Sequence, residues 1–154
     1  MLSKKAKYAI KALLALAERG RDEPTRIADL AREEQIPPKF LELILLGLRN
    51  NGILQSRKGK GGGYLLARDP AEIYLGQIVR MFDGPLAPVP CASQTAYVRC
   101  ADCTNEAVCG VRLAMKEVRD ATAKILDGTS IASLHRKVEE APPADSSITV
   151  IVPT

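Results

Sequence analysis

Tryptophan is absent from this 154-residue sequence, and phenylalanine occurs twice and tyrosine four times. So few rings argue against a β-rich core and leave alanine- and leucine-rich helices as the main architecture, a mainly α fold class. Histidine occurs once, at His135, far along the chain where a surface or helix-terminal role is expected, and no serine, histidine and acid set for nucleophilic catalysis is read in the sequence. A phosphate loop is missing too, because Lys58-Gly59-Lys60-Gly61-Gly62-Gly63 lacks the strand-to-helix setting and the terminal Lys-Ser/Thr pair. The residues therefore point away from an enzyme. No apolar run approaches the roughly 20 residues of a membrane span, and the N-terminal segment carries no small-residue cleavage site, so a cytoplasmic location is expected. A chain of this length buries a core without disulfide staples, and its four cysteines need another explanation.

Charge is unevenly spread. Residues 1 to 68 hold fourteen Lys and Arg against seven Asp and Glu, whereas residues 69 to 154 hold eight against eleven. A basic first half and a mildly acidic second half suggest that one end meets a polyanion.

Helical spacing of Ala6, Ile10, Leu13, Leu14 and Ala17 predicts a first helix over residues 3 to 19, ended by Gly20. Thr25 offers an N-cap for a short helix over 26 to 33, followed by a tight turn at Gln35-Ile36. Pro37-Pro38 opens a third helix, since proline's missing amide hydrogen costs nothing in a first turn. Its core stripe is Leu41, Ile44, Leu45 and Leu48, and it closes at Asn51-Gly52. Two extended runs, ILQSR and GYLLA, across the glycine-rich basic turn predict a hairpin. Three helices and then a hairpin are the order of a winged helix-turn-helix. A further helix is predicted over 72 to 82, then a proline-broken linker, a cysteine-bearing loop, and a long helix from Cys109 to Leu126. In that helix Val111, Met115, Val118, Thr122 and Ile125 have the spacing of a helix-pair seam. The expected domains are a DNA-binding unit (1–84), a cysteine-rich loop (85–108), a dimerisation helix with a C-terminal helix (109–136) and a flexible tail (137–154).

In a winged helix-turn-helix the third helix sets side chains against base edges, while wing lysines such as Lys58 and Lys60 reach phosphate or the minor groove. The glycines beside them let the backbone approach DNA. The same fold also serves as a protein-interaction module. All four cysteines fall in CASQTAYVRCADCTNEAVC, residues 91 to 109, with spacing C-x8-C-x2-C-x5-C. Four thiolates in so short a loop suit an iron–sulfur cluster, of two or four irons. Zinc suits the closer-spaced pair, and a thiol switch using Cys100 and Cys103 is also open.

The runs KKAKYAIKALLALA, IPPKFLELILLGLRNNG and ILQSRKGKGGGYLLARDPAEIYLGQIVRMFDGP strongly resemble the Rrf-two family of bacterial transcription regulators, over residues 1 to about 135. The GGGYLL wing and the following LGQIV helix are the most specific part. The resemblance implies a homodimer on a palindromic operator in double-stranded DNA, away from any membrane, read by the helix that begins at Pro38. It places Lys39, Phe40, Glu42 and Leu43 at base-reading positions, Arg49 at a backbone-contact position, Lys58 at the wing tip, and Ser3 and Lys5 facing phosphates; Arg57 and Lys60, beside Lys58 in the sequence, are further candidate DNA contacts. It implies a cluster held by Cys91, Cys103 and Cys109. Where one member has a fourth, histidine ligand this chain has Arg112, and where another branch uses an aspartate it has Lys7 or Tyr8, which leaves Cys100 as the candidate fourth ligand. The alternatives are a cluster-free regulator using zinc or thiol oxidation, and a metal-binding adaptor or electron carrier that does not bind DNA.

Overall fold

The computed structural model describes residues 2–142. Its elements run α1 (Lys4–Glu18), α2 (Ile27–Glu34), α3 (Pro38–Asn50), β1 (Leu54–Arg57), β2 (Gly63–Leu66), α4 (Leu75–Asp83), α5 (Gly110–Asp127) and α6 (Ile131–Glu139). This is the mainly helical architecture expected from the sequence, with one small antiparallel sheet. Of the expected tail, residues 143–154 lie outside the described residues.

The helix-turn-helix forms where local chemistry dictates. Gln35 adopts the left-handed conformation (φ 54°), which ends α2 and lets the Ile36 amide donate to the Ala31 carbonyl at 2.9 Å. Ile36 is thereby buried beside Leu41, Ile44, Leu45 and Leu48, the expected stripe of α3. These residues join Leu13, Leu16, Leu30, Ile53, Leu66, Ile73 and Ile78 in one core. Each fully buried aliphatic side chain contributes about 1.5–3 kcal/mol. The hairpin pairs Leu54 with Leu66 and Arg57 with Gly63, so Leu54 and Leu66 anchor the wing while its tip is exposed.

Two local expectations give way to long-range pairing. Thr25 does not cap α2; Arg26 occupies that position without a side-chain hydrogen bond. The Thr25 backbone instead exchanges two 2.8 Å hydrogen bonds with Tyr64, tying the wing to the start of α2. Likewise Ile73 and Tyr74 are extended rather than helical, because Tyr74 bridges Ser130: the Ile131 amide donates to Ile73 at 2.8 Å and the Leu75 amide to Thr129 at 2.9 Å. That bridge brings α6 back onto α1, and Ile131 lies fully buried in the core.

The helix α5 is different. Over its 18 residues, a rod of about 27 Å, it contains no buried residue. Val111 and Ile125, the ends of the expected seam, are 63% and 66% exposed. Its neighbours are α4 and the short 3-10 turn Pro90–Ala92.

Candidate functional site

Two places bear on function: the outward side of α3 with the wing, and the loop that leads into α5. On α3, Lys39, Glu42, Leu43, Leu46, Arg49 and Asn50 are exposed opposite the buried stripe. Phe40 is half-buried, its ring edge-on to Tyr8 at 5.7 Å between centroids, which withdraws part of it from the surface. Pro38 stands exposed in the first turn of the helix. Arg57, Lys58 and Lys60 are exposed on the wing, and Lys5 at the start of α1. Among the described residues none of Lys5, Lys39, Arg49, Arg57, Lys58 and Lys60 enters an ion pair, whereas Arg19, Arg32, Arg80 and Arg119 all do. The unpaired cations are left free for an external polyanion.

The wing glycines have an internal use. A Cβ on Gly62 would lie 2.9 Å from the Gly59 carbonyl oxygen, and one on Gly63 would lie 2.5 Å from the Thr25 carbonyl carbon. Gly59 and Gly61 hold positive φ (93° and 77°). The glycines thus let the wing fold against its own backbone.

Ser3 is engaged within the protein. Its hydroxyl caps α1 by accepting from the Ala6 amide at 3.1 Å and donates to Asp83, and its amide donates to the same carboxylate at 2.9 Å. This joins the start of α1 to the last residue of α4. Sequence reasoning did not find this contact, because 80 residues separate the partners.

The four cysteines come together. Cys91, Cys100, Cys103 and Cys109 line one recess of about 220 Å³, shared with Val89, Asp102, Val111 and Arg112. All four are free thiols, and Cys91 alone is buried, at 6% exposure. Hydrogen bonding to Cys91 pushes the Cys100 thiol above its ordinary pKa, and burial with the nearby Cys109 and Glu106 charges pushes Cys103 up. Metal loading would therefore release protons. Gathering is not closure: among the described residues no three His, Cys, Asp or Glu side chains already converge to hold a metal ion.

Two arginines of α5 fasten the loop. Arg112 donates from Nε to the Cys91 carbonyl at 3.0 Å, and Arg119 donates to the Ala92 carbonyl. At the far end of α5, Asp127 accepts from both Nη atoms of Arg80 at 2.6 and 2.8 Å. This pair lowers the Asp127 carboxyl and raises the Arg80 guanidinium, chiefly through their hydrogen bonds. Gly76 makes room for the pair, since a Cβ there would lie 2.8 Å from Arg80 Nη1 and 2.9 Å from Asp127 Cγ. The i, i+7 spacing of Arg112 and Arg119 put them on one face of α5, but nothing local showed what they hold. His135 lies on α6, 3.5 Å from Glu139 and apart from the recess.

A helix-turn-helix followed by a basic hairpin defines a winged-helix protein. The Rrf2 model, described as an iron-dependent transcriptional regulator, matches residues 2–137, and the chain belongs to this family of DNA-binding transcription regulators. An HTH-type transcriptional regulator of Rhodobacter capsulatus, described as rrf2-like, is 40% identical over 137 residues, covering 87% of this chain and 91% of that protein. The NsrR regulator of Geobacillus kaustophilus is 32% identical over 133 residues, covering 86% and 88%. The solved structure of CymR, the global cysteine regulator of Bacillus subtilis, matches with a TM-score of 0.73 at 28% identity, covering 88% of this chain and 96% of that one. These relatives are named as regulators, not as enzymes. No helix among the described residues is long and apolar enough to cross a membrane.

Proposed function

We propose that this regulator acts in the cytoplasm as a homodimer whose affinity for a palindromic operator is set by an iron–sulfur cluster held by Cys91, Cys100, Cys103 and Cys109. The observation that carries the reading is the gathering of all four thiols around one recess at the root of α5. The donor set fits: four soft thiolates satisfy a two-iron or four-iron cluster, and Arg112 in the recess wall adds positive charge without ligating. The family's description as iron-dependent agrees. When bound, the cluster supplies a redox-sensitive centre and a cross-link within the loop.

The remaining steps belong to the chain's own residues. Arg112 and Arg119 transfer the position of the loop to α5, the Arg80–Asp127 pair transfers the position of α5 to α4, and Asp83 holds Ser3 at the start of α1. A shift in this series of contacts changes the separation of two recognition helices, which is what a palindromic site reads. Two copies of α5 meeting along Val111, Met115, Val118, Thr122 and Ile125 would cover a helix that one chain leaves bare. On the operator, Lys39, Phe40, Glu42 and Leu43 face bases from the helix that Pro38 opens. Lys5, Arg49, Arg57, Lys58 and Lys60 meet phosphate or the minor groove, and Ser3 fixes the helix end beside them.

The test is purification without air, followed by a visible spectrum and iron and sulfide analysis, then the same for Cys100→Ala. Visible absorbance with stoichiometric sulfide in the parent and its loss in the variant is the expected result. An unchanged spectrum in the variant would remove Cys100 from the ligand set. A second reading is sensing by zinc or by thiol oxidation with Cys100 and Cys103 as the reactive pair; the Cys103 amide donates to the Cys100 carbonyl at 3.3 Å, which holds the two residues in one turn. Colourless protein containing zinc, or no metal at all, would establish it. Salt-dependent binding to duplex DNA would rule out a metal-binding adaptor or carrier that ignores DNA.

A further inference from the structure

Leu43 is the anomaly of the DNA-facing side. It projects from the centre of the outward face of α3, opposite the buried Leu41, Ile44, Leu45 and Leu48, and is 60% exposed. Leu46, one turn on, is also exposed. Around them stand Lys39, Glu42, Arg49 and Asn50, with the unpaired Arg57, Lys58 and Lys60 on the wing. An isolated apolar side chain on a surface needs no explanation, but one at the middle of a groove-facing helix does. Every base edge in the major groove offers a hydrogen-bond donor or acceptor, and only thymine adds an apolar group, its C5-methyl. Set against a guanine, cytosine or adenine edge, leucine would cover polar atoms without satisfying them, which is unfavourable.

We infer that Leu43 is a specificity-determining residue that reads a thymine methyl, so that each operator half-site carries a thymine at the position Leu43 faces. The inference rests on the DNA-reading assignment above and deepens it. The alternative occupant, a protein surface, fits the setting less well: the leucines share their helix face with Lys39 and Arg49, which enter no ion pair among the described residues and suit phosphate, and the bare apolar surface suited to a second copy lies on α5. Leu43 makes no phosphate contact in this reading, so its removal should alter base preference without altering the salt dependence of binding.

The experiment uses the full chain. A random duplex pool is selected for binding at low salt, and each thymine of the recovered site is then replaced in turn by deoxyuridine, which removes only the methyl. One thymine per half-site should respond, with a loss of affinity of about fourfold, the value of one buried methyl-sized group. The Leu43→Ala protein should melt at the parent temperature, keep the parent's salt slope, and bind thymine and uracil sites equally at that position. Uracil replacement without effect at every position would overturn the inference, as would a Leu43→Ala protein that still distinguishes uracil. A change in oligomeric mass for Leu43→Ala would also overturn it, by placing Leu43 in a protein interface. Failure of any duplex to bind would overturn the DNA-reading assignment together with this inference; binding that is indifferent to uracil overturns the inference alone.

Discussion

Gly63→Ala tests whether the wing is held by the protein's own backbone. A Cβ at this position would stand 2.5 Å from the carbonyl carbon of Thr25 and 3.0 Å from the amide nitrogen of Arg26. Both are backbone atoms, so no change of rotamer relieves the overlap and the two segments must part. What parts is the Thr25–Tyr64 bridge, with its two 2.8 Å hydrogen bonds. Each contributes about 0.5–1.5 kcal/mol net, and because Thr25 is buried an unpaired backbone group there costs about 1–3 kcal/mol more. The entropy that alanine removes from the unfolded chain offsets about 0.4–1 kcal/mol at most. The balance is a loss of about 2–4 kcal/mol, or roughly 5–15 °C in Tm for a chain of this length. Urea unfolding followed by circular dichroism should show a lower midpoint with an unchanged slope, and hydrogen exchange should show lost protection at the Thr25 and Tyr64 amides. Gly110→Ala, where a Cβ meets nothing within 4 Å, is the control and should gain about 0.4–1 kcal/mol. A Gly63→Ala protein within about 0.5 kcal/mol of the parent, with both amides still protected, would refute the reasoning.

Ile131→Ala empties a fully buried site at the start of α6 and should cost about 2–5 kcal/mol, read by thermal unfolding, with α6 amides exchanging first. Asp127→Asn removes a carboxylate whose pKa Arg80 holds below its ordinary value. A depressed folded pKa stabilises above the unfolded carboxylate value and is lost as pH falls toward the folded one, so the variant should be slightly less stable at neutral pH and flatter below about pH 4. Both partners are well exposed, which keeps the effect under about 1 kcal/mol. Replacing Lys58 and Lys60 together by alanine should weaken binding to all duplexes alike and reduce the slope of log K against log salt by about 2, measured by fluorescence anisotropy.

The sequence by itself determined the elements whose information is local. The 3.6-residue recurrence of Leu41, Ile44, Leu45 and Leu48 placed α3 and its buried side, Gln35-Ile36 marked the turn before it, and Gly59 to Gly63 marked the hairpin. The sequence alone put all four thiols in CASQTAYVRCADCTNEAVC, and the fold of the loop lines one recess with them. Tertiary structure decided what depends on which distant segments meet. Ile73 and Tyr74 fit a helical period yet are extended, because the residues on either side of Ser130 pair with that segment, the Ile131 amide with the Ile73 carbonyl and the Thr129 carbonyl with the Leu75 amide. Thr25 is a good cap by type, yet Tyr64 claims its backbone. Gly62, Gly63 and Gly76 look like flexible turn and helix residues, and each is required by a neighbour that a Cβ would strike. Arg112 and Arg119 are two unremarkable cations on a helix until the carbonyls of Cys91 and Ala92 come to rest against them. Periodicity encodes the face a residue takes within its own element, but backbone pairing and close approach between elements arise only when the chain has closed on itself.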